Sequence, residues 1–149
     1  MAMSEELPWK AGTAKTIITP EKQVWLAGYG YKREPDGRLH DLWVKALALE
    51  DRNGQRSVVV TSDLMGIPRY MYESISQKLM KRFHLERSQI LLTFSHNHCG
   101  PRLHKDLVDY YPKDSVQIEL VREYSDKLEE KIIETVAHFR RCISRHGQK

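Results

Sequence analysis

The sequence contains little cysteine and no long apolar run. Its two cysteines, Cys99 and Cys142, have no spacing typical of a metal site or a disulfide framework, so we expect free thiols. No window approaches the roughly 18 uninterrupted apolar residues of a membrane helix. The opening MAMSEELPWK also lacks the apolar run of a secretory signal. From these absences we expect a chain without membrane spans, located in the cytoplasm.

A strong excess of one charge sign is also missing. The 24 Lys and Arg residues are nearly balanced by 20 Asp and Glu, and most of them alternate along the chain instead of forming one basic stripe. The densest basic run, Arg140, Arg141, Arg145 and His146, lies at the end of a predicted helix, where the helix dipole favours cations. We therefore expect no nucleic-acid partner.

What remains is the composition of one globular domain over residues 1–149. Hydrophobic residues make up 40% of the chain and charged residues 30%. A chain of this length buries roughly two thirds of the surface that its unfolded form exposes. It therefore needs neither a disulfide nor a metal merely to hold a core.

Alternating side-chain patterns predict three strands in the first half of the chain. The predicted strands cover residues 11–19, 44–49 and 57–62. Asn53 and Gly54 form a turn between the last two, which should pair antiparallel. Residues 27–37 carry three glycines and a proline, so we expect a loop with unusual backbone angles. Loops of that kind often line functional sites.

The second half of the chain alternates between helical and strand patterns. Apolar residues at helical spacing predict a helix over residues 68–84, where Pro68 suits a first helical turn. They also predict a long helix past a loop of residues 100–114, with apolar positions from 121 to 143. Residues 89–95 form a nearly continuous apolar run, which is typical of a strand buried on both faces. This strand should lie parallel to 57–62. The predicted fold is α/β, with a mixed β-sheet, a βαβ unit and packed helices in a single domain.

The most informative motif is SHNHCGPRL, which follows the last predicted strand. In an extended segment His96 and His98 point to the same side, so both can offer a nitrogen to one metal ion. They also follow the carboxyl end of a parallel strand, where sites in α/β sheets form. Gly100 and Pro101 turn the chain and keep the histidines at the mouth of the sheet. The alternative is that both histidines make ordinary hydrogen bonds near the surface.

The order of these residues resembles the neutral ceramidase family, whose catalytic domain contains Thr-His-Thr-His-Ser-Gly-Pro. A metallo-β-lactamase site also begins with His-x-His, but there an Asp and a His follow, where this chain has Cys99, Gly100 and Pro101. Further family elements occur in the same order, and the resemblance runs from about residue 12 to about 103. They are matched by Gly12, Ala14, Ile18, Thr19 and Pro20, by Gly28 and Tyr29, by Leu39 and His40, and by Asp63.

The resemblance implies a zinc-dependent amide hydrolase that converts N-acylsphingosine into sphingosine and a fatty acid. It implies that His96 is a zinc ligand and that His98 is a catalytic group bonding the reacting water or the oxyanion. The family completes its zinc site with a further His, a Glu and a Tyr from downstream segments that this sequence lacks. We therefore expect the chain to be the amino-terminal part of such a domain. Family members are often secreted.

Several other residues are candidates for lining the site. They are His40, Asp63, Cys99, Gly100 and Arg102. His40, Asp63, Cys99 and His104 are also candidates to replace the missing zinc ligands, although extension would turn the Cys99 side chain away from His96 and His98. Asp63 alternatively caps a loop.

The substrate and the partners carry alternatives of their own. Arg102 and Leu103 replace small residues of the family motif, so the substrate is either ceramide or another lipid-like or N-acyl compound. Trp25, Tyr29 and Tyr31 either line a lipid-accepting groove or cover the end of the core. If they line a groove, we also expect contact with a membrane surface. The competing hypothesis is a catalytically silent interaction module, whose open sheet is covered by a partner chain or a second copy.

Overall fold

A four-stranded sheet and two helices make up the fold. The computed structural model describes the backbone of residues 9–146 and the side chains of residues 9–138. The strands are β1 Trp9–Ile17, β2 Trp43–Asp51, β3 Arg56–Ser62 and β4 Ile90–Phe94, and the helices are α1 Arg69–Phe83 and α2 Ser115–His146. Short 3₁₀ turns occupy Arg87–Gln89 and Val108–Tyr110.

The strands lie side by side in chain order. β1 pairs antiparallel with β2, β2 pairs antiparallel with β3, and β3 pairs parallel with β4. At the tight turn between β2 and β3, the Asp51 carboxylate accepts hydrogen bonds from the Asn53 and Gln55 amides at 2.9 and 2.8 Å. Gly54 there has a φ of +77°, a conformation that glycine adopts without steric cost. The predicted hairpin and parallel βαβ unit are both confirmed.

Helix α1 forms the crossover between the two parallel strands. Pro68 is its N-cap, and His84 ends it in the left-handed conformation with its amide donating to the Met80 carbonyl. The apolar positions of α1 fall on one face, where Ile75 and Leu79 are completely buried against the sheet. The helical periodicity therefore predicted this helix correctly, within one residue at each end.

Helix α2 packs across β1 and β2 and closes the same face of the sheet. Leu128, Ile132 and Val136 join the core from this helix. It begins at Ser115, directly after the loop that was predicted to end at Asp114, and Asp114 caps it by accepting a hydrogen bond from the Gln117 amide at 2.8 Å. Its first turns carry exposed Val116 and Ile118, so no apolar stripe marks them. The Cys142 thiol and the basic run at residues 140–146 lie outside the described side chains.

The prediction that β4 is buried on both faces was wrong. β4 is an edge strand, and Leu91 is 54% exposed because both helices pack on the opposite face of the sheet. Leu91 pairs with Val59, which pairs with Leu47. These three side chains form an apolar row, which we call the open face. None of the helices in the described part of the chain is long and apolar enough to cross a membrane.

A matched pair of leucines tests the division between the core and the open face. Leu79 is fully buried, so Leu79→Ala should lower the free energy of unfolding by about 2–5 kcal/mol. Leu91→Ala on the open face should lower it by about 1 kcal/mol or less. Urea denaturation of both variants measures the difference. Equal losses would show that the open face is covered in solution.

Candidate active site

The candidate site lies where the parallel strands β3 and β4 end. Ser62 and Phe94 are the last residues of the two strands and pair with each other. Beyond them the Ser95 amide still donates to the Ser62 carbonyl, and the Asn97 amide donates to the Leu64 carbonyl, both at 3.1 Å. The segment that carries the two histidines is therefore fixed to the loop after β3 by its backbone.

The rings of His96 and His98 lie close together, with 4.6 Å between their centroids. The predicted proximity is thus present, but the extended backbone from which it was predicted is absent. His96 has a φ of +58°, and the chain then turns as the Asn97 side chain accepts a hydrogen bond from the Cys99 amide at 2.9 Å. Pairing with β3 has ended at this point, so nothing holds the segment extended.

One nitrogen of His96 is held by the backbone. Its Nδ1 lies 2.9 Å from the Met65 carbonyl oxygen. Because a carbonyl oxygen only accepts, this contact places the proton on Nδ1 and leaves Nε2 with its lone pair when the ring is neutral. Histidines that bind metals have this arrangement, with the second nitrogen donating to a carbonyl or carboxylate.

His98 is enclosed by the loop after β1. Its Nδ1 is buried and has no hydrogen-bond partner among residues 9–138. A Cβ on Gly28 would lie only 2.3 Å from that nitrogen, so only glycine allows this approach. The Tyr29 ring lies 4.7 Å from the His98 ring, and Arg33 donates a hydrogen bond to the His98 carbonyl at 3.0 Å.

Strained backbone is concentrated around these two histidines. Four successive residues, Gly28, Tyr29, Gly30 and Tyr31, have φ values of +75°, +61°, +42° and +104°. This confirms the unusual backbone predicted for the loop. His96, Lys105 and Leu107 add three more left-handed residues on the neighbouring loops. Such conformations cost about 1–3 kcal/mol each outside glycine, and they cluster at functional sites.

Asp63 and Gly100 support the loops of the site. The Asp63 carboxylate accepts a hydrogen bond from the Trp43 amide at 2.9 Å, so it caps the start of β2. Gly100 is buried, and its carbonyl accepts from the Ala27 amide at 2.8 Å. A Cβ on Gly100 would lie 3.2 Å from the Asp63 carbonyl oxygen. Both residues therefore hold the end of β3 against the loop of residues 27–37, which we call the glycine loop.

The other candidate ligands do not complete a metal site within the described residues. His40 is exposed with its Nδ1 3.0 Å from the Asp41 carbonyl, and Cys99 is an exposed free thiol beside Arg33. Burial lowers the pKa of His104. No group of three His, Cys, Asp or Glu side chains that could hold a metal occurs between residues 9 and 138. A catalytic zinc normally has three protein ligands, so the candidate residues in the described part of the chain do not make one by themselves.

Arg102 lies behind the site instead of at its opening. It is 6% exposed, and its guanidinium carbon lies 4.1 Å from the centre of the Tyr111 ring. Sequence reasoning missed Tyr111 and Arg33, because neither belongs to the histidine motif. It also missed the Met65 carbonyl, because every residue type carries a backbone carbonyl and the sequence does not show which one bonds to a side chain.

A separate groove of about 350 Å³ lies along β1 and α2. Ile18, Tyr124 and Leu128 line it, and none of the candidate site residues does. Its position makes it a surface feature of the helix packing and not part of the histidine site.

Two solved structures share this fold. Neutral ceramidase from Pseudomonas aeruginosa superimposes with a TM-score of 0.74 at 20% identity, over 91% of this chain and 22% of that one. A ceramidase complexed with C2 gives a TM-score of 0.74 at 22% identity, over 91% of this chain and 21% of that one. The chain has a ceramidase-like fold.

The likeness confirms the predicted α/β fold and the resemblance seen in the motifs, at the level of structure. The chain spans about a fifth of the length of these two ceramidases. The sequence matches no family model and no curated protein.

Two glycines with nearly equal φ values test the contact with His98. Gly54 has a φ of +77° with nothing near its Cβ position, so Gly54→Ala should lower the unfolding free energy by about 1–2 kcal/mol. Gly28→Ala carries the same backbone cost and also collides with His98, which should add about 1–3 kcal/mol. Denaturant titration compares the two. Equal losses would show that the ring does not pack against Gly28.

Proposed function

We propose that this chain forms part of the active site of a zinc-dependent amide hydrolase acting on a lipid-like or N-acyl substrate. The observation that carries the proposal is the state of His96. Its Nδ1 contacts the Met65 carbonyl at 2.9 Å, its Nε2 is left free, and a second imidazole lies beside it. The ceramidase-like fold supports the proposal.

In this proposal His96 is a zinc ligand through Nε2. A zinc ion bound there would polarise the amide carbonyl and lower the pKa of a bound water to about 7. The Met65 carbonyl keeps the ring in the required tautomer. The described residues supply too few ligands alone, so the proposal requires further donors from outside them.

His98 is the hydrogen-bonding group of the proposed site. Its buried Nδ1 has no acceptor in reach, and an orphaned buried N–H is rarer than an unsatisfied acceptor. The proton of the neutral ring therefore belongs on Nε2. This nitrogen can then donate a hydrogen bond to the reacting water or to the oxygen of the amide, where charge develops during hydrolysis.

Exposed tyrosines around the histidines favour a substrate with an apolar chain. Tyr29, Tyr31 and Tyr110 are 73%, 74% and 62% exposed. They are joined, because the Tyr31 amide donates to the Tyr110 carbonyl and Gly30 packs against the Tyr110 ring. Tyrosines combine an apolar ring with a polar hydroxyl, which suits an acyl chain or the surface of a membrane.

A second candidate function is a catalytically silent interaction module. It is favoured by the incomplete donor set and by the open face, where Leu47 and Leu91 remain 37% and 54% exposed. Apolar rows of this kind are typical of surfaces that bind another protein. Under this candidate a partner chain or a second copy covers the open face, and the histidines serve only local packing.

Zinc binding distinguishes the two candidates. With the further donors present, we expect one zinc per site, with His96→Ala weakening the affinity by at least about tenfold because it removes a ligand. His138→Ala is the matched control, since its Nδ1 also contacts a backbone carbonyl, that of Glu134, away from the site. Calorimetric titration of the metal-free protein measures all three affinities. Zinc binding that is absent, or equal in both variants, would favour the silent module.

Amide hydrolysis tests the chemistry itself. When the further donors are present, a fluorogenic ceramide and shorter N-acyl compounds should be cleaved with zinc and left intact when EDTA is added. His98→Gln should reduce kcat while zinc stays bound, because the group donates to the reaction and not to the metal. Turnover that is unchanged by EDTA would contradict a zinc mechanism.

A further inference from the structure

Arg102 is a buried cation without a counter-charge at bonding distance among the described side chains. It is 6% exposed, and its Nε and Nη1 have no hydrogen-bond partner in that part of the chain. Burial lowers the pKa of its guanidinium, and Tyr111 and Asp106 oppose that shift. Burying a guanidinium with unsatisfied N–H groups is unfavourable, and an apolar side chain of similar size would avoid that cost. Filling space therefore does not account for an arginine at this position.

The contacts of Arg102 lead to the glycine loop through Tyr111. The guanidinium lies over the Tyr111 ring at 4.1 Å, and the Arg102 amide donates to the Trp25 carbonyl at 2.8 Å. Tyr111 is itself buried and donates its hydroxyl to the Leu26 carbonyl at 3.2 Å. A cation over an aromatic face attracts the ring most strongly where water is excluded. Arg102 thus fixes the ring whose hydroxyl holds the loop.

The glycine loop in turn sets the position of the His98 ring. The carbonyl that accepts from the Tyr111 hydroxyl belongs to Leu26, two residues before Gly28 in the chain. Gly28 approaches the His98 Nδ1 so closely that a Cβ would be 2.3 Å away. A small movement of this backbone would therefore release the ring.

We propose that Arg102 is a positioning residue, whose guanidinium holds Tyr111 and through it the Gly28 backbone against His98. This role rests on the proposed function, in which His98 is the hydrogen-bonding group that the loop holds in place. The contacts themselves require neither zinc nor substrate. They are tested without either, so that failure here and failure of zinc binding remain separate results.

The test reads the contact between Gly28 and His98 directly by NMR. In the unaltered chain, nuclear Overhauser cross-peaks should join the Gly28 α protons and the His98 ring protons. Arg102→Met keeps the apolar stem but removes the charge, and it should abolish or strongly weaken those cross-peaks. The matched control is Arg87→Met, because Arg87 also lies over a tyrosine, Tyr72, at 4.8 Å, at the opposite end of β4. The control should leave the cross-peaks intact.

Tyr111→Phe gives a second route to the same result. It keeps the ring beneath the guanidinium and removes only the hydroxyl that bonds to Leu26. The cross-peaks should again weaken, while the chemical shifts of the core around Leu128 stay unchanged. Cross-peaks of full intensity in Tyr111→Phe, or in a folded Arg102→Met, would overturn the proposal. A change in stability without a change at His98 would do the same, since it would show a role in packing alone.

Discussion

The contact between the Gly28 backbone and the His98 ring is the constraint on which the candidate site depends. It joins two loops that are 70 residues apart in the chain and that pack on different strands. Any side chain at position 28 would separate them. The left-handed turn of residues 28–31 is the backbone that brings Gly28 to this position, and its strain is offset by hydrogen bonds to Gly100 and Tyr110.

The sheet supplies the rigid support for this contact. β3 and β4 pair in parallel and end together at Ser62 and Phe94. Their loops therefore leave the same edge, and the Met65 carbonyl meets His96 there. Ligand sites in α/β sheets form at this edge for the same geometric reason. The strained loops depend on the sheet, since a mobile support would let them relax into ordinary conformations.

Local patterns predicted the elements, but not which of their faces are covered. Alternation and helical periodicity identified the hairpin, the crossover helix and the parallel strand. Leu91 is exposed because both helices pack on the other side of the sheet. The sequence of β4 does not indicate which side the helices cover. The closeness of His96 and His98 was predicted, while the left-handed backbone at His96 was not, because the pairing with β3 ends at Phe94 and no longer sets the backbone there. Arg102 was expected to line the site, but it packs on Tyr111 from the same connection between β4 and α2.

In the proposed zinc site, His96 offers Nε2 to the metal because the Met65 carbonyl holds its Nδ1. Anomalous diffraction at the zinc edge, from crystals grown with zinc, tests this arrangement. We expect a single strong peak at about 2.0–2.1 Å from Nε2 of His96. A zinc peak at Nδ1 of this ring, or zinc bound elsewhere with none beside His96, would contradict it.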